Sequence, residues 1–104
     1  MADKFITKIT SATLASGDNS TILAATAGTC YKLWQAIVTP GANADVVTFK
    51  NGTTAQSIVS VAANGASVVL PFSDVPWAFT DTGNALTVNS TTTTTKVTLY
   101  YSQD

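Results

Sequence analysis

At 104 residues the chain suits a single domain, expected to span 1–104, and only 11% of its residues are charged against about 25% in an ordinary domain. Its formal net charge of −1, with five Lys, no Arg and no His, excludes the basic surface that a nucleic-acid partner requires. Because His and Glu, two of the commonest general acids and bases, are both missing, we expect a protein that is not an enzyme.

The first strands are predicted from β-branched residues at alternate positions, interrupted at short intervals by Gly, Asn, Asp or Pro. "KFITKITSA" has Phe5 and Ile9 on one face, and "STILAAT" follows a Gly-Asp-Asn turn. In the third strand, "CYKLWQAIV", strict alternation places two groups of residues on opposite faces. These groups are Tyr31, Leu33 and Ile37 on one face, and Cys30, Trp34, Ala36 and Val38 on the other.

The later elements contain the clearest turn signals. "DVVTFK" runs to Asn51-Gly52, a strong hairpin signal before "TTAQSIVSVA", and Asn64-Gly65 is a second one before "ASVVLPF". "SDVPWAFTDTGN" is predicted as a loop with at most a short strand around Trp77 to Phe79. "ALTVNS" and "KVTLYY" are predicted to pair and close the domain. Together these elements predict an all-β, single-domain antiparallel β-sandwich, jelly-roll-like, with about eight strands.

Five consecutive threonines, Thr91 to Thr95, precede the last strand. A strand running from Val88 to Tyr101 would exceed the usual limit of ~10 residues, so the chain must turn within the run. We predict a broad hairpin tip whose flanks pair as strands and whose hydroxyls contact water, with contact to a neighbouring subunit as the alternative. A nucleophilic threonine needs a base or a free N-terminal amine, and the run has neither.

The acidic residues and the one cysteine predict no metal or cofactor site. Side-chain bonding to a local turn explains four of the six acidic residues, Asp18, Asp45, Asp74 and Asp81. "GDNS" and "DTGN" could offer oxygen ligands to calcium, but they lack the alternating carboxylates of a dedicated loop. Cys30 cannot form an intramolecular disulfide or a zinc site alone, and it is interpreted as a small buried hydrophobe.

The aromatic residues supply most of the candidate binding residues. Trp34, in mid-strand, favours the core, with an interface anchor or a sugar-stacking platform as the alternative. Trp77, in "VPWAF", is as well suited to the core as to contact with a partner. The candidate interface residues are Trp34, Trp77, Phe79, Thr93 and Tyr100.

The opening "MADKFITKIT" has no apolar stretch after its positive charge, so we do not expect a signal peptide. No apolar run approaches the ~20 residues of a membrane span, so no membrane partner is expected. We therefore expect synthesis in the cytoplasm.

Taken together, "SGDNSTILAATAGTCYKLWQAIV", "VVTFKNGTTA", "VSVAANGASVVLPFSDVPWAFT" and "GNALTVNS" resemble the small β-sandwich proteins encoded in the structural gene clusters of tailed bacteriophages. Those proteins decorate or cement the capsid. The resemblance extends from about Phe5 to Tyr101 and includes no motif from which a functional residue can be transferred.

The resemblance implies a jelly-roll-like fold, an assembly that is often trimeric, and a place on the capsid surface of a virion, with synthesis in the host cytoplasm. The expected partner is the lattice of the major capsid protein, bound through protein-protein contacts without enzymatic activity. The alternative is a module of a phage head or tail appendage that binds glycans or a receptor through Trp34, Trp77 or the tyrosines.

Overall fold

The computed structural model describes residues 8–104, so Phe5 and the start of the first predicted strand lie outside the described residues. Residues 8–104 contain nine strands and no helix. The strands are β1 (Lys8–Thr13), β2 (Gly17–Leu23), β3 (Tyr31–Thr39), β4 (Asp45–Asn51), β5 (Thr54–Val61), β6 (Val68–Leu70), β7 (Ala78–Phe79), β8 (Leu86–Ser90) and β9 (Lys96–Gln103). The sequence predicts about eight strands, and the additional one is the two-residue β7. It lies in the segment where at most a short strand is predicted.

The strands form two antiparallel sheets, which confirms the predicted β-sandwich. One sheet has the order β1-β9-β3-β6, with β7 also paired to β3, and the other has the order β2-β8-β4-β5. Of the connections between described strands, only β4–β5 and β6–β7 join strands of one sheet, and the others cross between the sheets. Repeated crossing between two sheets, here of five and four strands, is the arrangement of a jelly roll.

The core lies between the two sheets, and alternate residues of β4, β5, β8 and β9 form most of it. Its largest fully buried side chain is Phe49 on β4, and Leu33, Leu86 and Leu99 from β3, β8 and β9 are also fully buried. Trp77 packs against this core from the β6–β7 connection and is itself only partly buried. The period of two in the sequence therefore translates directly into a buried inner face.

Strict alternation is wrong for β3, because a β-bulge interrupts its register with β9. Leu33 lies opposite Tyr101 and Gln35 opposite Tyr100, which leaves Trp34 as the extra residue of the bulge. A bulge shifts all later residues to the other face. The main core cluster consequently contains Tyr31, Leu33, Ala36 and Val38 of β3 and not Ile37, while Trp34 is buried outside this cluster.

Two predicted pairings are wrong and one is confirmed. The Asn51-Gly52 hairpin joins β4 to β5, with Asn51 opposite Thr54 and Gly52 at a φ of 59°. The Asn64-Gly65 turn exists, but it connects strands of different sheets. Likewise β8 and β9 do not pair, because the five threonines between them cross from one sheet to the other.

The connections form two distinct ends of the sandwich. At one, which we call the threonine end, Leu14 N–H donates to Thr95 O at 2.8 Å and Asn64 N–H to Gly41 O at 2.7 Å. At the other, the groove end, Gly83 N–H donates to Thr29 O at 2.7 Å. The two ends differ in chemistry, as described next.

Candidate functional site

An open groove of about 430 Å³ lies toward the groove end, between the start of β5 and the chain that joins β6 to β7. Pro71 follows β6 directly, and the connection then runs along the edge of the sandwich before it rejoins β3 as β7. The groove is lined by Gln56, Ser57, Ser73, Val75, Pro76, Trp77 and Phe79.

Hydrogen bonds fix the wall of the groove to the rest of the sandwich. Trp77 N–H donates to Leu33 O at 2.8 Å, which places the Trp77 backbone beside β3. Its indole Nε1–H donates to Pro71 O at 2.7 Å and closes the connection on itself. Toward β5, the Ser57 hydroxyl donates to Trp77 O, and Phe79 N–H donates to Gln56 Oε1 at 2.7 Å.

These bonds engage polar atoms of the wall while its apolar side chains stay exposed. Val75 is 70% exposed and Phe79 is 49% exposed. Phe72, next to Pro71, is 48% exposed although its ring lies 6.0 Å from that of Trp34. Neighbouring exposed side chains of this size are typical of a surface that binds a partner.

The structure brings two of the five candidate interface residues, Trp77 and Phe79, together in this groove. Trp77 is partly buried: it packs against the core and also lines the groove, so contact with a partner stays a prediction. Sequence reasoning missed Val75 and Gln56. The available signal for Val75 was an apolar residue in a proline-flanked loop with no strand periodicity.

Trp34 is only 3% exposed and therefore presents almost no surface to a partner in this fold. It lies outside the main core cluster, and its ring packs against that of Phe72. Its Nε1–H donates to Ser102 Oγ at 2.9 Å. Trp34 thus contacts the β6–β7 connection at Phe72, outside the groove lining.

The other two candidate residues lie elsewhere. Tyr100 is partly buried on β9, opposite Ile9 and Gln35, on the outer face of the first sheet. Thr93 is exposed at the threonine end, on the opposite end of the sandwich from the groove. The five predicted residues therefore do not form one surface.

The threonine end is organised around Asp45, which is buried at the start of β4 rather than in a turn as predicted. Its carboxylate accepts bonds from Thr91 N–H at 2.8 Å and from the Thr91 hydroxyl at 2.7 Å. The hydroxyls of Ser90, Thr92 and Thr95 also donate to it. The expectation that the run mainly contacts water is corrected, because three of its hydroxyls face inward onto one carboxylate.

This arrangement explains the acidity of Asp45. Burial alone opposes ionisation, but hydrogen bonds from Ser90, Thr95 and Thr91 outweigh burial and lower the pKa of Asp45 from 3.8 to about 2. A carboxylate with so low a pKa is a poor general base at neutral pH, and Ser90 and Thr95 are themselves buried. The cluster is suited to holding the β8–β9 connection in place.

The remaining acidic residues form small, separate contacts. Asp18 lies in β2 rather than in a turn, and hydrogen bonds from Asn89 and Lys50 lower its pKa. Asp81 accepts a bond from Asn51 Nδ2 at 3.2 Å. Within residues 8–104 no three His, Cys, Asp or Glu side chains are grouped as metal ligands would be. Cys30 is half-buried rather than fully buried.

Comparison of the chain with protein-family models, with curated proteins and with solved structures found no match. Among the described residues there is no helix of the length and hydrophobicity required to cross a membrane. The fold and the chemistry of its surface are therefore the basis for a functional proposal.

Proposed function

We propose that this protein is a non-enzymatic virion structural protein that decorates or cements a bacteriophage capsid through protein-protein contacts. Its partner is the lattice of the major capsid protein, and its place is the capsid surface after synthesis in the host cytoplasm. Two features support the proposal: the sequence resemblance described above and a jelly-roll strand order. A further feature, the exposed groove, carries it.

The observation that carries the proposal is the pair of exposed apolar side chains Val75 and Phe79 on a wall fixed by hydrogen bonds. Removing apolar surface from water contributes about 25 cal/mol per Å², so a partner that covers this wall gains free energy without ordering a loop. A stable contact of standard size buries about 1,600 Å² in total. The groove is small enough to form one part of such a contact.

In this proposal the protein stabilises the shell by linkage. A protein that binds the assembled lattice and not the dissociated subunits shifts the equilibrium toward the lattice. Linked copies would strengthen the effect, because each bound copy raises the local concentration of the next. No catalytic group is needed for this function.

The alternative, a glycan- or receptor-binding module of a phage head or tail appendage, is favoured by one observation. Trp77 and Phe79 line the same open groove, as aromatic side chains do in sites that stack against sugar rings. Sugar binding also needs free hydrogen-bonding groups. In this groove Trp77 Nε1, Gln56 Oε1 and the Ser57 hydroxyl proton already bond within the chain, which favours a protein partner.

The proposal is tested by adding the purified protein to tailed-phage capsids that lack it and measuring bound copies per capsid by cosedimentation. We expect saturable binding that a Val75→Ser/Phe79→Ser double variant weakens at least ten-fold. An Ile9→Ser variant is the matched control. Ile9 is also an exposed apolar residue, but it lies on β1, which contributes no residue to the groove lining. Absence of capsid binding together with binding to a glycan array would replace the proposal by its alternative.

A further inference from the structure

The outer edge of the second sheet is an open strand. β5 contains eight residues and, within the described part of the chain, pairs only with β4. The N–H and C=O groups on its other side have no partner strand among these residues. Such an edge is a template on which another strand can pair.

The three other sheet edges carry features that discourage pairing, whereas β5 carries one only at its start, where the β6–β7 connection bonds to Gln56 and Ser57. β6 has only three residues and ends before Pro71, β2 contains Asp18 and an irregular register, and β1 contains Lys8. Short length, charge, proline and irregularity are the usual ways in which proteins block an edge. β5, with the sequence TAQSIVSV, has no charged residue and no proline.

The one interruption of β5 is confined to its first half. The register with β4 shifts between Phe49 and Lys50, which leaves Gln56 as the extra residue. From Ser57 to Val61 the pairing with β4 is regular. In the middle of this regular stretch Ile58 is 66% exposed on the outer face, while Val59 is buried on the inner face.

We propose that β5 pairs with β5 of a second copy of this chain, antiparallel and across a two-fold axis, to form one continuous eight-stranded sheet. Alternation restricts the register, because inner residues must face inner residues. Placing Val59 opposite its own copy meets this condition and sets Ile58 opposite Ser60 of the second copy. A two-fold interface uses the same surface on both partners, and β5 provides such a surface.

Charge favours a second copy as the occupant. Neither strand brings a charged side chain into the new pair, so no like charges meet and no isolated charge is buried. The charges of the neighbouring β4 are already paired within the chain, Lys50 with Asp18 and Asp45 with buried hydroxyls, so none of them opposes the approach of an identical strand. The resulting particle is a dimer, in contrast to the trimer that the sequence resemblance implies.

The test is the molar mass in solution, measured by light scattering and by sedimentation over a range of concentrations. We expect about twice the 10.7 kDa of one chain. The Ile58→Lys variant should raise the dimer dissociation constant at least ten-fold. Charged side chains, especially Lys, are a usual block to pairing at natural sheet edges. The Ile9→Lys variant is the matched control, because Ile9 on β1 is 64% exposed and should leave the dimer intact.

Folding is checked by circular dichroism and thermal unfolding, and Ser60→Lys is a second variant at the same edge. The inference is overturned by a one-chain or three-chain mass for the unmodified protein. It is also overturned if the dimer survives both Ile58→Lys and Ser60→Lys, or if the Ile9→Lys control weakens dimerisation equally. These results do not involve capsids, so the dimer can fail while capsid binding holds, and the reverse is also true.

Discussion

The two ends of the sandwich handle their side chains in opposite ways. At the threonine end a buried carboxylate receives five hydrogen bonds from Ser90, Thr91, Thr92 and Thr95, so most of the side chains of the turn share one acceptor. At the groove end polar atoms also bond internally, but Val75 and Phe79 stay exposed. A conspicuous sequence run can thus be turned largely inward onto one carboxylate, while an unremarkable loop leaves its large apolar side chains exposed.

The largest expected effect is on the threonine end. Asp45→Ala leaves the buried hydroxyls of Ser90 and Thr95 without their acceptor, so we expect a loss of about 3 kcal/mol in the free energy of unfolding. Chemical denaturation measures this loss. The control is Asp18→Ala, which removes an exposed carboxylate. Similar losses in the two variants would show that the Asp45 cluster contributes nothing beyond a surface contact.

The same cluster predicts a specific dependence of stability on pH. The pKa of Asp45 is about 2 in the folded protein against an ordinary 3.8, so the folded state binds this proton less tightly than the unfolded state. The stabilisation is complete above about pH 4 and is lost as pH falls through about 2, which amounts to about 2 kcal/mol. Urea unfolding between pH 2 and pH 5 should show this slope in the unmodified protein and a smaller one in Asp45→Asn.

A pair of substitutions within the run separates its inward and outward hydroxyls. Thr95→Val keeps the shape of a fully buried side chain but removes a donor to Asp45, and we expect a loss of about 1–2 kcal/mol. Thr93→Val, at an exposed position of the same run, should change stability by less than ~0.5 kcal/mol. Equal effects, measured by thermal and chemical unfolding, would contradict the inward role of Thr95.

A small effect on stability is also expected at the groove end. Phe79→Ser removes an exposed ring and leaves the bond from Phe79 N–H to Gln56 in place, so stability should change by less than ~1 kcal/mol. Capsid binding should nevertheless fall. A large loss of stability in this variant would mean that Phe79 is needed for the fold and would remove it from the binding surface.

Sequence reasoning succeeded where one local rule applies. The Asn51-Gly52 hairpin follows from a single glycine at positive φ, and most inner-facing residues follow from alternation. Trp34 is buried, as its mid-strand position favoured, but alternation gave it the wrong face, because the bulge that displaces this residue depends on the register with β9. Sequence reasoning failed at Asp45, whose hydrogen-bond donors are more than forty positions away in the chain.

What the sequence alone determined is the class of the fold, since a period of two with β-branched residues and frequent turn residues suits only paired strands. Which strands pair was decided by the tertiary structure: β8 and β9 alternate as hairpin partners would, yet they lie in different sheets. The physical reason is that alternation specifies the face of each residue and not the neighbouring strand. Which strands become neighbours depends on burial across the whole sandwich. The resulting strand order also positions the groove and leaves the edge of β5 open.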